Sequence, residues 1–327
     1  MKAVIVTEFG NTDVMKYTDV EVPKFGPKQV LIQVVKTSVN FADIKSRYGK
    51  KGGTFPFIPG IDAAGVIEAV GKDVQHLKVG QRVITFPANG SYAEYIVADE
   101  NLTFAIPESI GFDVAAASPI VSFLSYILLA DLAKLEQGET VLIHAAAGGV
   151  GTTAIQLAKI LGAGKVIGTV GRESKINVAQ EAGADYVVNY EKEDFAQRVN
   201  ELTGGHGANV IIDSVAGKIT EKSLVCLAPY GRLVQIGNSS GETGNIKTSD
   251  LHASCRSALG FSLGTTRKLR PQLLQPVAEK IFPLLADGSL KINIGHHFPL
   301  AEAAKAHDLV ENRMSTGKVL LDVGEMK

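Results

Sequence analysis

The chain has 327 residues, enough for about two domains with their own cores, so a small disulfide-stapled scaffold is excluded. Lys plus Arg number 33 against 34 Asp plus Glu, and 45% of residues are hydrophobic, which excludes both a disordered chain and the cationic excess that binds nucleic acid. Cys226 and Cys255 lie far apart, against a zinc knuckle and in favour of a reducing compartment. Five uncharged residues, 3–7, precede Glu8, too few for a signal-peptide core, so a cytoplasmic protein is expected. Residues 114–130 are uncharged but contain Ser118, Pro119, Ser122 and Ser125 and are bracketed by Asp113 and Asp131. They read as a buried helix crossing between domains, not as a membrane span.

Up to about residue 107, short β-rich runs at 3–7, 30–37, 66–70, 82–86 and 92–97 are punctuated by Gly and Pro. This spacing predicts an antiparallel-rich barrel or sandwich. From Gly138 the rhythm changes. Apolar runs at 141–143, 166–170, 186–188, 210–212 and 233–236 alternate with helical patterns at 154–161, 175–182, 194–202 and 220–227. Such alternation means a doubly wound parallel sheet. After about residue 267 come two helical patterns, 273–285 and 300–312, and one strand, 318–323, too little for a third core. The expectation is an α/β protein with a β-rich domain at 1–112, completed by 267–327, and a doubly wound domain at 113–266.

The most informative segment is Val141-Leu-Ile-His-Ala-Ala-Ala-Gly-Gly-Val-Gly151, which follows a strand and opens a helix. Ala147, Gly148, Gly149, Val150 and Gly151 are candidates to cradle a pyrophosphate. Gly148 admits close backbone approach, Gly151 lets the helix lie tight on the strand, and the helix start offers free N–H groups. Ala146 replaces the first glycine of the G-x-G-x-x-G template. The next strand runs out into Gly171-Arg-Glu-Ser-Lys175 with no carboxylate at its end. Arg172 and Lys175 suit a 2′-phosphate, so NADPH is expected over NADH. His144 reads as a strand-end residue satisfied by backbone, and His296-His297 as a solvated loop.

Residues 138–159 resemble the quinone oxidoreductase (zeta-crystallin) signature of the medium-chain dehydrogenase/reductase superfamily. The resemblance continues through Pro59-Gly60, Ala64-Gly-Val66, Val70-Gly71, Val79-Gly-Gln-Arg-Val83 and Gly237-Asn-Ser-Ser-Gly241, across nearly the whole chain. It implies a GroES-like catalytic domain, a Rossmann domain and a cofactor in the cleft between them. Position by position, it implies that Asn40 and Tyr48 flank the nicotinamide and substrate. It further implies that Gly171, Lys175 and Tyr190 surround the 2′-phosphate, and that Gly237, Asn238 and Arg313 make further cofactor contacts. Arg172 departs from the small residue expected there and adds positive charge. A homodimer, paired through an edge strand near 258–263, is implied by the family alone.

Zinc-dependent relatives carry a Cys and a His-Glu pair where this chain has Asn40 and Ile61-Asp62. With thiolate and imidazole ligands missing, no tetrahedral zinc site is expected. A metal-free site suits an acceptor whose conjugated oxygen spreads the incoming charge. The expected activity is therefore hydride transfer from NADPH to a quinone, with the Asn40 amide and Tyr48 hydroxyl positioning the oxygen. An enone or alkenal reductase, and a non-catalytic NADPH-binding protein, stay open as alternatives.

Overall fold

A computed structural model describes residues 1–49, 54–87 and 90–324. The chain divides into two compact units, Met1–Ile120 with Thr265–Lys327, and Val121–Gly264.

The first unit opens with β1 (Lys2–Val6) and β2 (Met15–Asp19), an antiparallel pair. It continues with β3 (Gln29–Val39), β4 (Ala63–Val70), β5 (Arg82–Thr85), β6 (Tyr95–Asp99) and β7 (Thr103–Ala105). The second unit holds β8 (Thr140–Ile143), β9 (Lys165–Val170), β10 (Tyr186–Asn189), β11 (Ala208–Asp213), β12 (Leu227–Gln235) and β13 (Ser257–Gly260). The tail returns β14 (Ile294–Pro299) and β15 (Lys318–Asp322) to the first unit.

In the second unit six parallel strands run in the order β10-β9-β8-β11-β12-β13, the doubly wound order that places every C-terminal strand end on one edge. The strands are apolar throughout because both faces are covered. Leu142, Ile167 and Ile211 pack with Phe195, Val199 and Leu224 from the crossover helices. In the first unit the order is β14-β15-β3-β4-β5-β7, with β6 also paired to β3. Here β3 alternates buried and half-buried residues over its first half, as a strand with one face on the core must.

Three local expectations are corrected. The apolar stretch at 114–130 is not one helix. Pro119 starts a second helix, Pro119–Tyr126, after Phe112–Ala117, and a π-helical turn, Ile127–Leu132, follows. Among the described residues no helix is long and apolar enough to cross a membrane. The tail carries two strands, not one: His296 and His297 lie in β14, parallel to β15, with His297 Nδ1 3.5 Å from Asp322. That strand is half-exposed and holds few apolar residues, so it lacks the run that marks a buried strand.

Candidate active site

At the edge of the second unit, β8 ends at Ile143, Ala145 turns with φ +53°, and the helix Gly149–Ile160 begins with Gly148 as its N-cap. The first-turn N–H groups of this helix have no intrahelical partner, and no side chain caps them. A Cβ on Gly151 would sit 2.7 Å from the backbone of Ala146, so only glycine permits this approach. Ala147, in the turn itself, is buried. Ala146 is accommodated in place of the template's first glycine because its methyl occupies the space left by Gly168 in β9, 2.7 Å from where a Cβ there would lie.

The adjoining strand ends complete this edge. Beyond β9, Gly171 lies against the Tyr190 ring, whose Cζ would be 2.8 Å from a Cβ at that position. Tyr190 itself follows β10 and donates its N–H to Val170 (3.1 Å). Arg172 is the N-cap of the short 3-10 turn Glu173–Lys175, and Lys175 ends it. Glu173, the acidic residue among them, is bonded by Lys192, whose ammonium holds its carboxyl below the usual range. Beyond β12, Gly237 donates to the Gln235 side chain (2.8 Å), and Asn238 accepts from Gly241 (3.1 Å). The topology thus brings residues 147–151, 171–175, 190 and 237–238 to one edge of one sheet.

Beneath them lies a polar network that sequence reasoning missed. His144 is satisfied by side chains, not backbone: Nδ1 meets the Thr169 hydroxyl at 2.8 Å and Nε2 the Ser223 hydroxyl at 2.9 Å. Ser223 donates its own proton to Ile219 (2.7 Å), so it accepts from Nε2–H, which leaves Nδ1 to accept from Thr169. Burial pushes the imidazole down to about 4, and it stays neutral. Asp213 at the end of β11 accepts the N–H groups of Val215 (2.8 Å) and Ala216 (3.0 Å) and the Thr220 hydroxyl, holding Ala216 at φ +68°.

In the first unit, sheet register assembles a second cluster. Val319 pairs Val39 across β15 and β3, and Thr37 pairs Ala63 across β3 and β4. One step further along each ladder, Lys318 comes opposite Asn40 and Ser38 opposite Asp62. Lys318 Nζ donates to Asn40 Oδ1 (2.7 Å) and to the Val39 carbonyl (3.3 Å). Asn40 Nδ2 donates to Asp62 Oδ1 (2.9 Å) and, at longer range, to Ser38 Oγ (3.3 Å). The Asn40 amide therefore bridges a buried lysine and a buried aspartate. Burial drives the Lys318 pKa down and the Asp62 pKa up, each opposed by the partner's charge. Arg267 donates to the Ile61 carbonyl (2.9 Å), and its guanidinium lies 5.2 Å from the Phe86 ring centroid.

Asn40 and Tyr48 stand at opposite ends of one short helix. Asn40 caps the start of the helix Phe41–Arg47 and Tyr48 its end, and eight residues at 1.5 Å rise separate them by roughly 12 Å. The Tyr48 hydroxyl donates to Glu311 (2.6 Å) and lies 2.9 Å from the Asn11 side-chain amide. Glu311 in turn pairs with the buried Arg47 (2.5 Å), which donates to His307 Nδ1 (3.2 Å). His307 Nε2 meets the Tyr92 hydroxyl at 3.0 Å, and Tyr92 donates to Asp43 at 3.3 Å. Arg313 is exposed, at φ +56°, just beyond the helix Ala303–Glu311.

A model of the zinc-binding dehydrogenase family matches residues 149–279, and one of the alcohol dehydrogenase GroES-like domain matches residues 26–108. The quinone oxidoreductase of Pseudomonas aeruginosa is 37% identical over 331 residues, covering 98% of this chain and 99% of that protein. Human quinone oxidoreductase is 34% identical over 326 residues, covering 98% and 97%. The crystal structure of Escherichia coli quinone oxidoreductase complexed with NADPH is similar at a TM-score of 0.93 and 32% identity, covering 99% of this chain and 100% of that one.

The zinc in the first family's name does not fit the residues here. Asn40 offers a carbonyl oxygen already bound to an ammonium, Ile61 offers no ligand, and a dication would sit beside Lys318. Among the described residues, no group of three His, Cys, Asp or Glu is placed to hold a metal ion. The near-complete mutual coverage at 34–37% identity, together with the glycine turn and parallel sheet, makes this chain a member of the quinone oxidoreductase family of the medium-chain dehydrogenase/reductase superfamily.

Proposed function

We propose that this chain uses NADPH to reduce a quinone, with no metal ion taking part. NADPH supplies the hydride; with a proton from water, the quinone becomes a hydroquinone and the cofactor NADP⁺. The observation that carries this reading is the edge of the parallel sheet. An uncapped helix start at Gly148–Gly151 is followed, on the next strand, by Arg172 and Lys175, while Glu173 is neutralised by Lys192. The N–H groups of Gly149, Val150 and Gly151 bind the pyrophosphate beside Ala147 and Gly148, and Gly171, Arg172, Lys175 and Tyr190 take the 2′-phosphate. Gly237, Asn238 and Arg313 make the remaining cofactor contacts, and Asn40 meets the acceptor oxygen. Tyr48 acts at one remove, holding the end of the Phe41–Arg47 helix through Glu311.

The chain works in a reducing compartment, in keeping with the free thiols Cys226 and Cys255, and the cytoplasm is the natural one. It pairs with a second copy along β13, an edge strand whose Ser257, Ala258 and Gly260 are exposed. The deciding experiment follows loss of nicotinamide absorbance with para-benzoquinone and with a simple enone, using NADPH and NADH. Turnover of the quinone, with NADPH preferred over NADH by about tenfold or more, is the expected result. Faster turnover of the enone would reassign the acceptor, and no turnover of either would leave a non-catalytic NADPH-binding protein.

A further inference from the structure

We infer that Lys318 is a positioning residue that acts through Asn40: its buried ammonium locks and polarises the Asn40 amide and so presents the amide's second N–H to the oxygen of the acceptor. The inference rests on the reading above that the acceptor meets this chain at Asn40.

A lysine 4% exposed is uncommon, and it requires a compensating partner. The fold goes to some length to place it. Gly317 turns at φ +61°, where a Cβ would lie 2.8 Å from the Asn293 carbonyl carbon, and Lys318 then enters β15 with its N–H on the Asn293 oxygen (2.7 Å). The side chain ends not on a carboxylate but on the Asn40 carbonyl oxygen. Asp62 holds the other end of the same amide. With an ammonium on its oxygen and a carboxylate on one N–H, the amide cannot flip and has one orientation.

Its two N–H groups are unequal. One makes a 2.9 Å bond to Asp62, and the other makes only long contacts with Ser38, at 3.3 Å to the hydroxyl and 3.4 Å to the carbonyl. The second N–H is the one an incoming oxygen can take over at little cost. An ammonium on the amide oxygen draws electron density from the nitrogen, which makes that N–H a stronger donor. When hydride reaches the quinone carbon, negative charge gathers on the quinone oxygen, so the bond strengthens as the reaction proceeds. Asp62 Oδ1 takes both the Asn40 N–H and, at 2.7 Å, the Ser38 hydroxyl, while Oδ2 is buried without a hydrogen-bond partner, so the carboxylate's hydrogen bonds all lie on the Asn40 side.

Three variants test this. Lys318→Met removes the ammonium but strands the Asp62 charge, so its effect mixes folding with function. Lys318→Met combined with Asp62→Asn removes both buried charges, and its melting temperature is expected to return toward wild type. NADPH affinity, measured by titration, is expected within about twofold of wild type, while kcat for para-benzoquinone stays down by about tenfold or more. Lys318→Arg is expected to recover part of that loss. A folded double variant with wild-type kcat would overturn the inference, as would a loss of kcat and NADPH affinity in equal measure. An inactive wild-type chain would instead overturn the underlying reading, and this inference with it; an active wild type beside an active double variant removes the inference alone.

Discussion

His144 and Lys318 are both buried, both titratable and both within reach of an aspartate, yet the two units hold them in opposite ways. In the second unit the imidazole stays neutral and is shared between two hydroxyls, while Asp213 is satisfied by two backbone N–H groups and a threonine. In the first unit the ammonium and carboxylate are separated by an amide, and the second oxygen of Asp62 has no hydrogen-bond partner. In the second unit the buried carboxylate is met by three donors of its own turn and fixes the backbone there. In the first, the buried carboxylate and the buried ammonium sit on the two ends of one side-chain amide. A buried charge can thus be compensated by the backbone it shapes or by an opposite charge reached through a third group.

The largest expected effect comes from breaking the charged arrangement. Lys318→Met leaves a buried carboxylate with no countercharge across the amide, and a loss of about 3–5 kcal/mol of stability is expected, read by thermal or denaturant unfolding. No single substitution of the His144 hydroxyl partners reaches that size: Ser223→Ala is expected to cost about 1–3 kcal/mol. Equal costs for the two would erase the contrast between the units. Gly151→Val falls between them. Its side chain meets the Ala145–Ala146 backbone, so about 3 kcal/mol of stability and most of the NADPH affinity should be lost, as measured by cofactor titration.

Acid acts on both units in the same direction. Burial pushes His144 down to about 4, and burial together with the Arg47 guanidinium pushes His307 down to about 3, from an ordinary value of 6.5. Both folded values lie below the unfolded one, so each ring takes up a proton on unfolding. The stability each contributes is complete above about pH 6.5 and is lost as the pH falls toward its folded value. Each should add about 1.4 kcal/mol per pH unit to the acid slope. Denaturation curves between neutral pH and about pH 4 check this, because His144→Gln and His307→Gln should each flatten the slope by one proton.

What could be read from the sequence follows from distance along the chain. The glycine turn and the parallel sheet were legible because strand, turn and helix are contiguous from residue 141 to 160. Even there, the pairing of Ala146 with Gly168 is a tertiary swap that no local template contains. The first-unit cluster was illegible because Ser38, Asn40, Asp62 and Lys318 meet only through strand register. Lys318 at the head of an apolar run was the one local sign of it. The separation of Asn40 from Tyr48 did have a signal. Asn40-x-x-Asp43 has capping-box spacing, and the Asp43 carboxylate does take the Asn40 N–H at 2.9 Å, which fixes Asn40 at the start of a helix that Tyr48 ends.

The smallest expected effects lie on the cofactor edge, where charges are exposed and screened. Lys175→Ala should cost about tenfold in NADPH affinity and leave NADH nearly unchanged, since only NADPH carries the 2′-phosphate. Lys192 should matter less, and by a different route. It bonds Glu173, whose negative charge would otherwise stand beside Arg172 and Lys175 and repel the phosphate. Lys192→Met unmasks that charge and is expected to weaken NADPH binding by about two- to fourfold. Glu173→Gln in the same chain should restore it, because no anion is then left to neutralise. Affinities for both nucleotides in the two single variants and the double variant form a closed cycle. A double variant no better than Lys192→Met would mean that Lys192 meets the phosphate directly, and the masking of Glu173 would play no part in the choice of cofactor.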